Sequence, residues 1–545
     1  GLVGSEMCIR DSINNKRRDT LMAGEKEYKV ITIKGVDVAE IEQELERDTT
    51  SDATASANVP NRTVDVHTAR KHNNRITHYM LTDAEAAELS KDPRIYVVEK
   101  DPDPTLVEHG PYAVQTAQFD RSTSNDQDAK NWGLYRHILK EFDDASTSNS
   151  YSANYTYSLD GTGVDIVIQD DGVDPTGHPE WEDANGVTRF KQIDWYTATG
   201  ISGTMPTGHY TNNFSDSNNA GQHGTHVAGI AAGKTFGWAK GADIYSLRHY
   251  GGFPNEINDT DKFDLIRVWH EKKPIDPVTG LKRPTICNQS WGFRSTYTSY
   301  GEFSHIFFKG VDQGIAAQNF TTATFAQYGC VFVNFPYQVP SVDVEQEQLT
   351  DAGVICIKAA GNSYHPSAGP NAPYYSDIYE SYFVPTSSPL SQIKYNRPSS
   401  PHSDDTVWVS SMDRTEFGTE EFITQSSERG PRTDIIAGGD DISSATSQVS
   451  GYGGTQNYPG SVTHKMTRIS GTSMAAPQIC GLGALWLQMN PGGTAQQFKD
   501  FLTRTFKATG SFISLSFGAT VFAGAFSFAG GPTYVAEMIL GYDLE

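Results

Sequence analysis

The chain has 545 residues, 37% of them hydrophobic, with 26 Tyr, 26 Phe and 8 Trp. That length exceeds one simple core, and that apolar content excludes global disorder. A net charge of −23 repels a phosphate backbone, so no nucleic acid partner is expected.

Residues 1–24 show no long apolar stretch ahead of a small-residue cleavage site, so no signal peptide is read there. They are taken as a non-native or disordered leader, with Met22 a candidate start. A secreted or particle-associated location is then expected rather than a cytoplasmic one, by another route of export, by lysis or in a particle.

From 25 to 105 the pattern reads β-α-(β)-β-α-β, a small α+β ferredoxin-like domain. Strands are expected over 28–33, 76–81 and 95–99, a helix over 38–45, and a second helix through Leu89 capped by Thr82 or Asp83. Residues 106–130 are a polar, irregular linker open to proteolysis.

From 131 to 506, apolar runs alternate with helical segments. Runs at 164–168, 243–247, 285–288 and 353–359 are of the kind buried on both faces. They predict an α/β fold of three layers, α/β/α, around a mainly parallel sheet. Thr494 and Gln497 form a capping box for a helix through Thr505.

The tail, 507–545, has no charged residue over 508–536 and is rich in Gly, Phe, Ser and Ala. Its glycines and serines weigh against a membrane span. Alternation over 513–517 favours strands packed on the main domain, and no membrane partner is expected.

Five cysteines are present, without CxxC or zinc spacing. Cys287, Cys356 and Cys480 sit in apolar runs and read as buried free thiols. One disulfide stays open.

Four local patterns carry chemistry. In GTGVDIVIQDDGVD a buried strand ends at Asp170. A carboxylate at a strand's carboxyl end can orient a histidine, although alone the pattern is an ordinary loop cap. In GQHGTHVAGIAAG, 221–233, His223 opens a helix of small residues able to lie close to a sheet. A helix start disfavours imidazolium, so a carboxylate partner is required there. His226, three residues on, is the competing base and is expected on the packed side.

In GVICIKAAGN a strand runs into Asn362, whose amide can donate to a developing oxyanion. In ISGTSMAAPQICGLGALWLQMNP, Ser473 lies in a glycine-bearing turn opening an apolar helix. Its hydroxyl and the backbone N–H groups there suit a nucleophile, although a helix cap is the plainer reading. Pro477 is placed early in that helix, where a missing N–H costs little.

Together and in this order, the Asp turn, HGTHVAG, AAGN and GTSMAAP resemble the subtilisin-like serine proteases, the subtilase family. NWGL at 131–134, GWAKGADIYSLR at 237–248, NQSWG at 288–292 and GPRTDIIA at 430–437 agree with it. The resemblance covers about 131–505.

It implies a serine endopeptidase with Asp170, His223 and Ser473 as catalytic triad and Asn362 at the oxyanion. It implies Ser290, Trp291 and Gly292 as backbone contacts for an extended peptide. It also implies an N-terminal unit acting as the enzyme's own propeptide, removed by self-cleavage within 106–130. Protein or peptide substrates are the partners, and no cofactor is required.

Departures are visible. Asp171 stands where Ser or Thr is usual. The His-to-Ser separation is long, which implies insertions within 249–285, 293–350 and 363–420. Acidic residues Asp174, Glu180, Glu182 and Asp183 could hold a structural calcium, but a solvated acidic loop is the plainer reading, so no metal site is assigned. Two other readings stand beside the protease. One is a silent protease-fold protein with a structural or particle-associated role. The other is a sedolisin-type acid peptidase, against which His223 speaks.

Overall fold

The computed structural model describes residues 25–45, 66–69, 73–100, 107–108, 155–157, most of 159–505, and 508–509, 526–527 and 542–544. The expectations for the leader, most of the linker and most of the tail, including 513–517, fall outside the described residues. Two compact units are present: Gly1–Pro104 with Pro340–Glu345, and Thr105–Val339 with Gln346–Glu545.

The first unit follows the predicted order. Its elements are β1 (Lys26–Thr32), α1 (Val38–Leu45), β2 (Val66–Ala69), β3 (Ile76–Leu81), α2 (Asp83–Leu89) and β4 (Ile95–Glu99). The strands form one sheet in the order β2-β3-β1-β4, antiparallel throughout. Alternation places Tyr28, Val30, Tyr79 and Leu81 on the face that meets Ile41, Leu45 and Leu89 of the helices. Thr82 is the N-cap of α2. Its hydroxyl accepts from the Glu85 backbone, and Glu85 answers through the Thr82 N–H.

The second unit is built on seven parallel strands. These are β6 (Asp165–Asp170), β7 (Phe190–Lys191), β8 (Asp243–Arg248), β9 (Thr285–Gln289), β11 (Ile355–Ala359), β12 (Val407–Met412) and β13 (Ile435–Gly438). Their order across the sheet is β13-β12-β11-β9-β6-β8-β7. A separate strand, β10 (Gly292–Thr296), pairs antiparallel with β5 (Val107–Glu108), Gly292 opposite Glu108.

Period two along the strands sorts the two faces. Ile166, Ile168, Ile244, Ile286, Ile355 and Ile357 join one core with α3 (Gln222–Ala232) and α6 (Thr472–Met489). On the other face Tyr245 packs its ring against Trp269 of α4 (Asp259–Glu271), and Gln289 bonds Gln346 of α5 (Pro340–Asp351). Helices therefore cover both faces, a three-layer α/β/α sandwich, and parallel strands buried on both sides explain the unbroken apolar runs.

The small residues of α3 serve close approach. A Cβ on Gly481 of α6 would lie 2.5 Å from the Ala231 carbonyl oxygen, so the two helices meet backbone to backbone there. α7 (Ala495–Thr505) carries the predicted Thr494–Gln497 capping box and buries Phe498 and Leu502. Within two of the stretches read as insertions, Phe303–Phe308 pairs with Tyr382–Pro385 around a small core of its own.

Among the described residues no helix is long and apolar enough to cross a membrane. Cys287, Cys356 and Cys480 are free and buried, and burial raises the thiol pKa of Cys287 and Cys480.

Candidate active site

β6 carries its last residue, Asp170, to the carboxyl edge of the sheet, where it is fully buried. One carboxylate oxygen accepts the Asp171 N–H (2.8 Å) and faces His223 Nδ1 at 2.7 Å. A carboxylate only accepts, so Nδ1 holds the proton and Nε2 is left as the basic nitrogen. Nε2 is buried, and among the described residues it has no hydrogen-bond partner. Burial alone would lower the imidazole pKa. The charge and hydrogen bond of Asp170, with the charge of Asp171, outweigh that and raise it above 6.5.

The start of α3 is locked to the turn after β6. Asp171 accepts the N–H groups of His223 (3.2 Å) and Gly224 (2.6 Å), two donors that a helix start leaves open. Burial, followed by the charge of Asp170, pushes the Asp171 carboxyl up to about 7. Gly224 is required by contact: a Cβ there would fall 2.2 Å from the Gly172 carbonyl oxygen. His226 points the other way. Its Nε2 meets the carbonyls of Ile442 (3.0 Å) and Thr467 (3.2 Å), and burial holds its pKa down to about 3.

The opposite side is assembled from β9, β11 and α6. Gly361, at φ +115°, turns the chain after β11, and its missing Cβ leaves room for the Glu428 carboxylate. Asn362 Oδ1 then accepts both the backbone N–H (2.9 Å) and the hydroxyl (3.1 Å) of Thr472. An N–H can only donate, so the amide oxygen must face Thr472 and the amide nitrogen must point away from it.

Ser473 is the second residue of α6 and is 4% exposed. Its hydroxyl donates to the Ser290 carbonyl (3.1 Å), so in this conformation it is not given to His223. Such bonds often tighten only with substrate bound.

Pro477 corrects one expectation. α6 begins at Thr472, so Pro477 is its sixth residue, beyond the four N–H groups a helix start leaves free. Its missing N–H leaves the Ser473 carbonyl without an intrahelical donor. The Ser290 hydroxyl supplies the bond instead, at 2.8 Å. Ser290 and Ser473 are thus joined by two reciprocal hydrogen bonds.

Of the expected substrate strand, the Ser290 carbonyl accepts from the Ser473 hydroxyl and Gly292 pairs with Glu108 of β5. The Trp291 carbonyl turns inward to the Lys358 ammonium (2.6 Å), and its ring stacks on His249. A small recess opens beside Ser473, bounded by Ser290, Gly292, Lys358, Asn362 and Ser399. Lys358 was not anticipated, although a lone lysine in the apolar run ICIKAA is a visible anomaly.

Among the described residues no group of three or more His, Cys, Asp or Glu could hold a metal ion. The acidic stretch does not fit a calcium cradle. Glu180 accepts the N–H groups of Thr235 and Phe236 and the Tyr458 hydroxyl, and Asp183 accepts from Asn185 and Val187.

The sequence pattern described as the subtilase family matches residues 161–519. The chain is 25% identical over 362 residues to Subtilisin-like protease 8 of Arthroderma benhamiae, covering 66% of this chain and 51% of that protein. It is 31% identical over 131 residues to a cuticle-degrading serine protease of Arthrobotrys oligospora, 23% of this chain and 26% of that one. The chain thus spans between about a quarter and a half of the length of these relatives. Among solved structures, a cold adapted subtilisin-like serine proteinase aligns over 73% of this chain and 97% of its own, at 19% identity and a TM-score of 0.41. Fervidolysin from Fervidobacterium pennivorans aligns over 90% and 59%, at 16% identity and a TM-score of 0.48.

Proposed function

Since the chain belongs to the subtilase family, we propose that it is a serine endopeptidase in which Ser473 attacks the peptide carbonyl. The observation that carries this reading is the buried 2.7 Å pairing of His223 Nδ1 with Asp170, which leaves Nε2 as a base. His223 takes the Ser473 proton as the Oγ–C bond forms, and returns it to the leaving amine as the C–N bond breaks. Water then hydrolyses the acyl-enzyme by the same route in reverse. Asp170 orients the ring and balances its charge. The amide N–H of Asn362 and the backbone N–H of Ser473 hold the oxyanion.

The N-terminal βαββαβ unit is read as the enzyme's own inhibitor, released by a self-made cut within 106–130. Proteins or peptides are the substrates, and no cofactor takes part. Work outside the cytoplasm fits a relative named as cuticle-degrading.

The test is labelling by a fluorophosphonate probe together with hydrolysis of an unfolded protein substrate. Labelling and hydrolysis that both vanish in Ser473→Ala support the reading. Hydrolysis that persists in that variant, or none in the parent, ends it.

A further inference from the structure

Building on the endopeptidase reading, we propose that Asn288 and Ser290 are positioning residues for Ser473. Together they supply, through side chains, the hydrogen bond that Pro477 withholds from the helix carrying the nucleophile. Asn288 is the penultimate residue of β9. Ile286, two residues earlier, belongs to the core shared with α6, so alternation turns Asn288 toward the same helix. An amide buried on that apolar face costs free energy unless it is bonded. Its nitrogen donates to the Ser290 hydroxyl at 2.8 Å. That hydroxyl, also buried, donates to the Ser473 carbonyl at 2.8 Å.

The direction of this chain is fixed by proton count. A hydroxyl has one proton, and a carbonyl can only accept. The Ser290 proton therefore goes to Ser473, and the end of Asn288 that faces Ser290 must be its N–H. The chain runs from the Asn288 amide through the Ser290 hydroxyl to the first turn of α6. A hydroxyl that accepts one bond donates a stronger one.

The chain ends on the main chain of the nucleophile. Pro477 has no N–H for the carbonyl four residues back, which is that of Ser473, and its ring crowds the same carbonyl. Two bonds tie Ser473 to Ser290: its hydroxyl gives to the Ser290 carbonyl at 3.1 Å, and its carbonyl receives from the Ser290 hydroxyl. Attack on a substrate breaks the first, because the Ser473 proton then passes to His223. The second does not involve that proton and persists. It holds the backbone from which both Oγ and the Ser473 N–H project while the reaction proceeds. A displacement of about 1 Å at such a point costs about 10²-fold in rate. Neither side chain is assigned a contact with the reacting atoms; both act through the Ser473 main chain.

The experiment measures kcat and KM of the purified full chain on one chromogenic peptide. Each kcat is expressed per Ser473 labelled to completion by a fluorophosphonate, so unfolded enzyme does not enter the comparison. Ser290→Ala keeps the carbonyl and removes the hydroxyl, and kcat should fall about 10–100-fold with KM within about threefold of the parent. Pro477→Ala returns a helical N–H to the Ser473 carbonyl. Added to Ser290→Ala, it should bring kcat to within about threefold of Pro477→Ala alone. Asn288→Leu should lower kcat about 3–10-fold by itself, the worth of one hydrogen bond. On top of Ser290→Ala it should cost less than about twofold, because the amide then has nothing to act through. A general packing defect would make the two losses additive and would not respond to the new N–H. The proposal is overturned by a Ser290→Ala variant within about twofold of the parent in kcat. Failure of Pro477→Ala to restore that variant overturns it too, as does an Asn288→Leu loss that is the same with and without the Ser290 hydroxyl. A parent that neither hydrolyses peptide nor takes the label removes the endopeptidase reading itself, and this proposal with it.

Discussion

Replacing Asn362 by Leu should lower kcat by about 10²–10³ with little change in KM. The loss corresponds to about 2.7–4 kcal/mol of transition-state stabilisation from one amide donor in a water-poor site. The structure says how to separate this from a packing effect. Asn362 Oδ1 receives two hydrogen bonds from Thr472, at 2.9 and 3.1 Å, and these tie the end of β11 to the start of α6. Asn362→Asp keeps an oxygen for both donors, so the turn is retained. It also sets a carboxylate oxygen where the donor nitrogen stood, facing the developing charge. Its kcat should be at least as low as that of the Leu variant while its melting temperature stays closer to the parent. Thr472→Val removes the hydroxyl bond without removing the amide and should cost less than tenfold. The assay is steady-state hydrolysis of a chromogenic peptide, with kcat and KM resolved separately. A drop in kcat of less than about tenfold for both Asn362 variants would refute the assignment of this amide to the oxyanion.

The acid limb of kcat/KM reports the pKa of free His223, which must be neutral to act, so activity falls as pH drops through a value above 6.5. Asp171→Asn removes a charge that raises that pKa, and the limb should move to lower pH; an unmoved limb would mean that Asp171 does not act on the base. Ser473→Ala should accumulate as full-length chain while the parent is shortened to a fragment starting within 106–130; a parent that stays full length on a denaturing gel removes self-cleavage. Arg189 donates to the buried carbonyls of Ala232 (2.6 Å), Ala242 (2.7 Å) and Glu180 (3.1 Å). Arg189→Met, made in the Ser473→Ala form to prevent autolysis, should lose about 3 kcal/mol or more in urea unfolding, at about 1–3 kcal/mol per orphaned group.

The strands of the main sheet were legible because burial on both faces writes itself as unbroken apolar runs. Asp170, His223 and Ser473, to which the proposed mechanism gives the roles, stood out in the sequence because each sits at a strand or helix end marked by glycine. β2 could be read only as a bracketed strand, since Val66–Ala69 is too short to show alternation. The bond from Ser290 to the Ser473 carbonyl spans 183 positions, and no local pattern announces it. Pro477 was therefore read as harmless, when it creates a vacancy that a distant hydroxyl must fill. Lys358 was passed over for a related reason. Its strand reads as core, and only the sheet's pleat reveals that one side chain in that strand opens toward the cleft.

The parallel sheet also sets a schedule for synthesis. Its last strand, Ile435–Gly438, leaves the ribosome before the helix that bears Ser473. An unfinished polypeptide therefore carries Asp170, His223 and Asn362 while still lacking the proposed nucleophile. On the proposed mechanism, any proteolytic hazard is deferred until the scaffold able to confine it has already been translated.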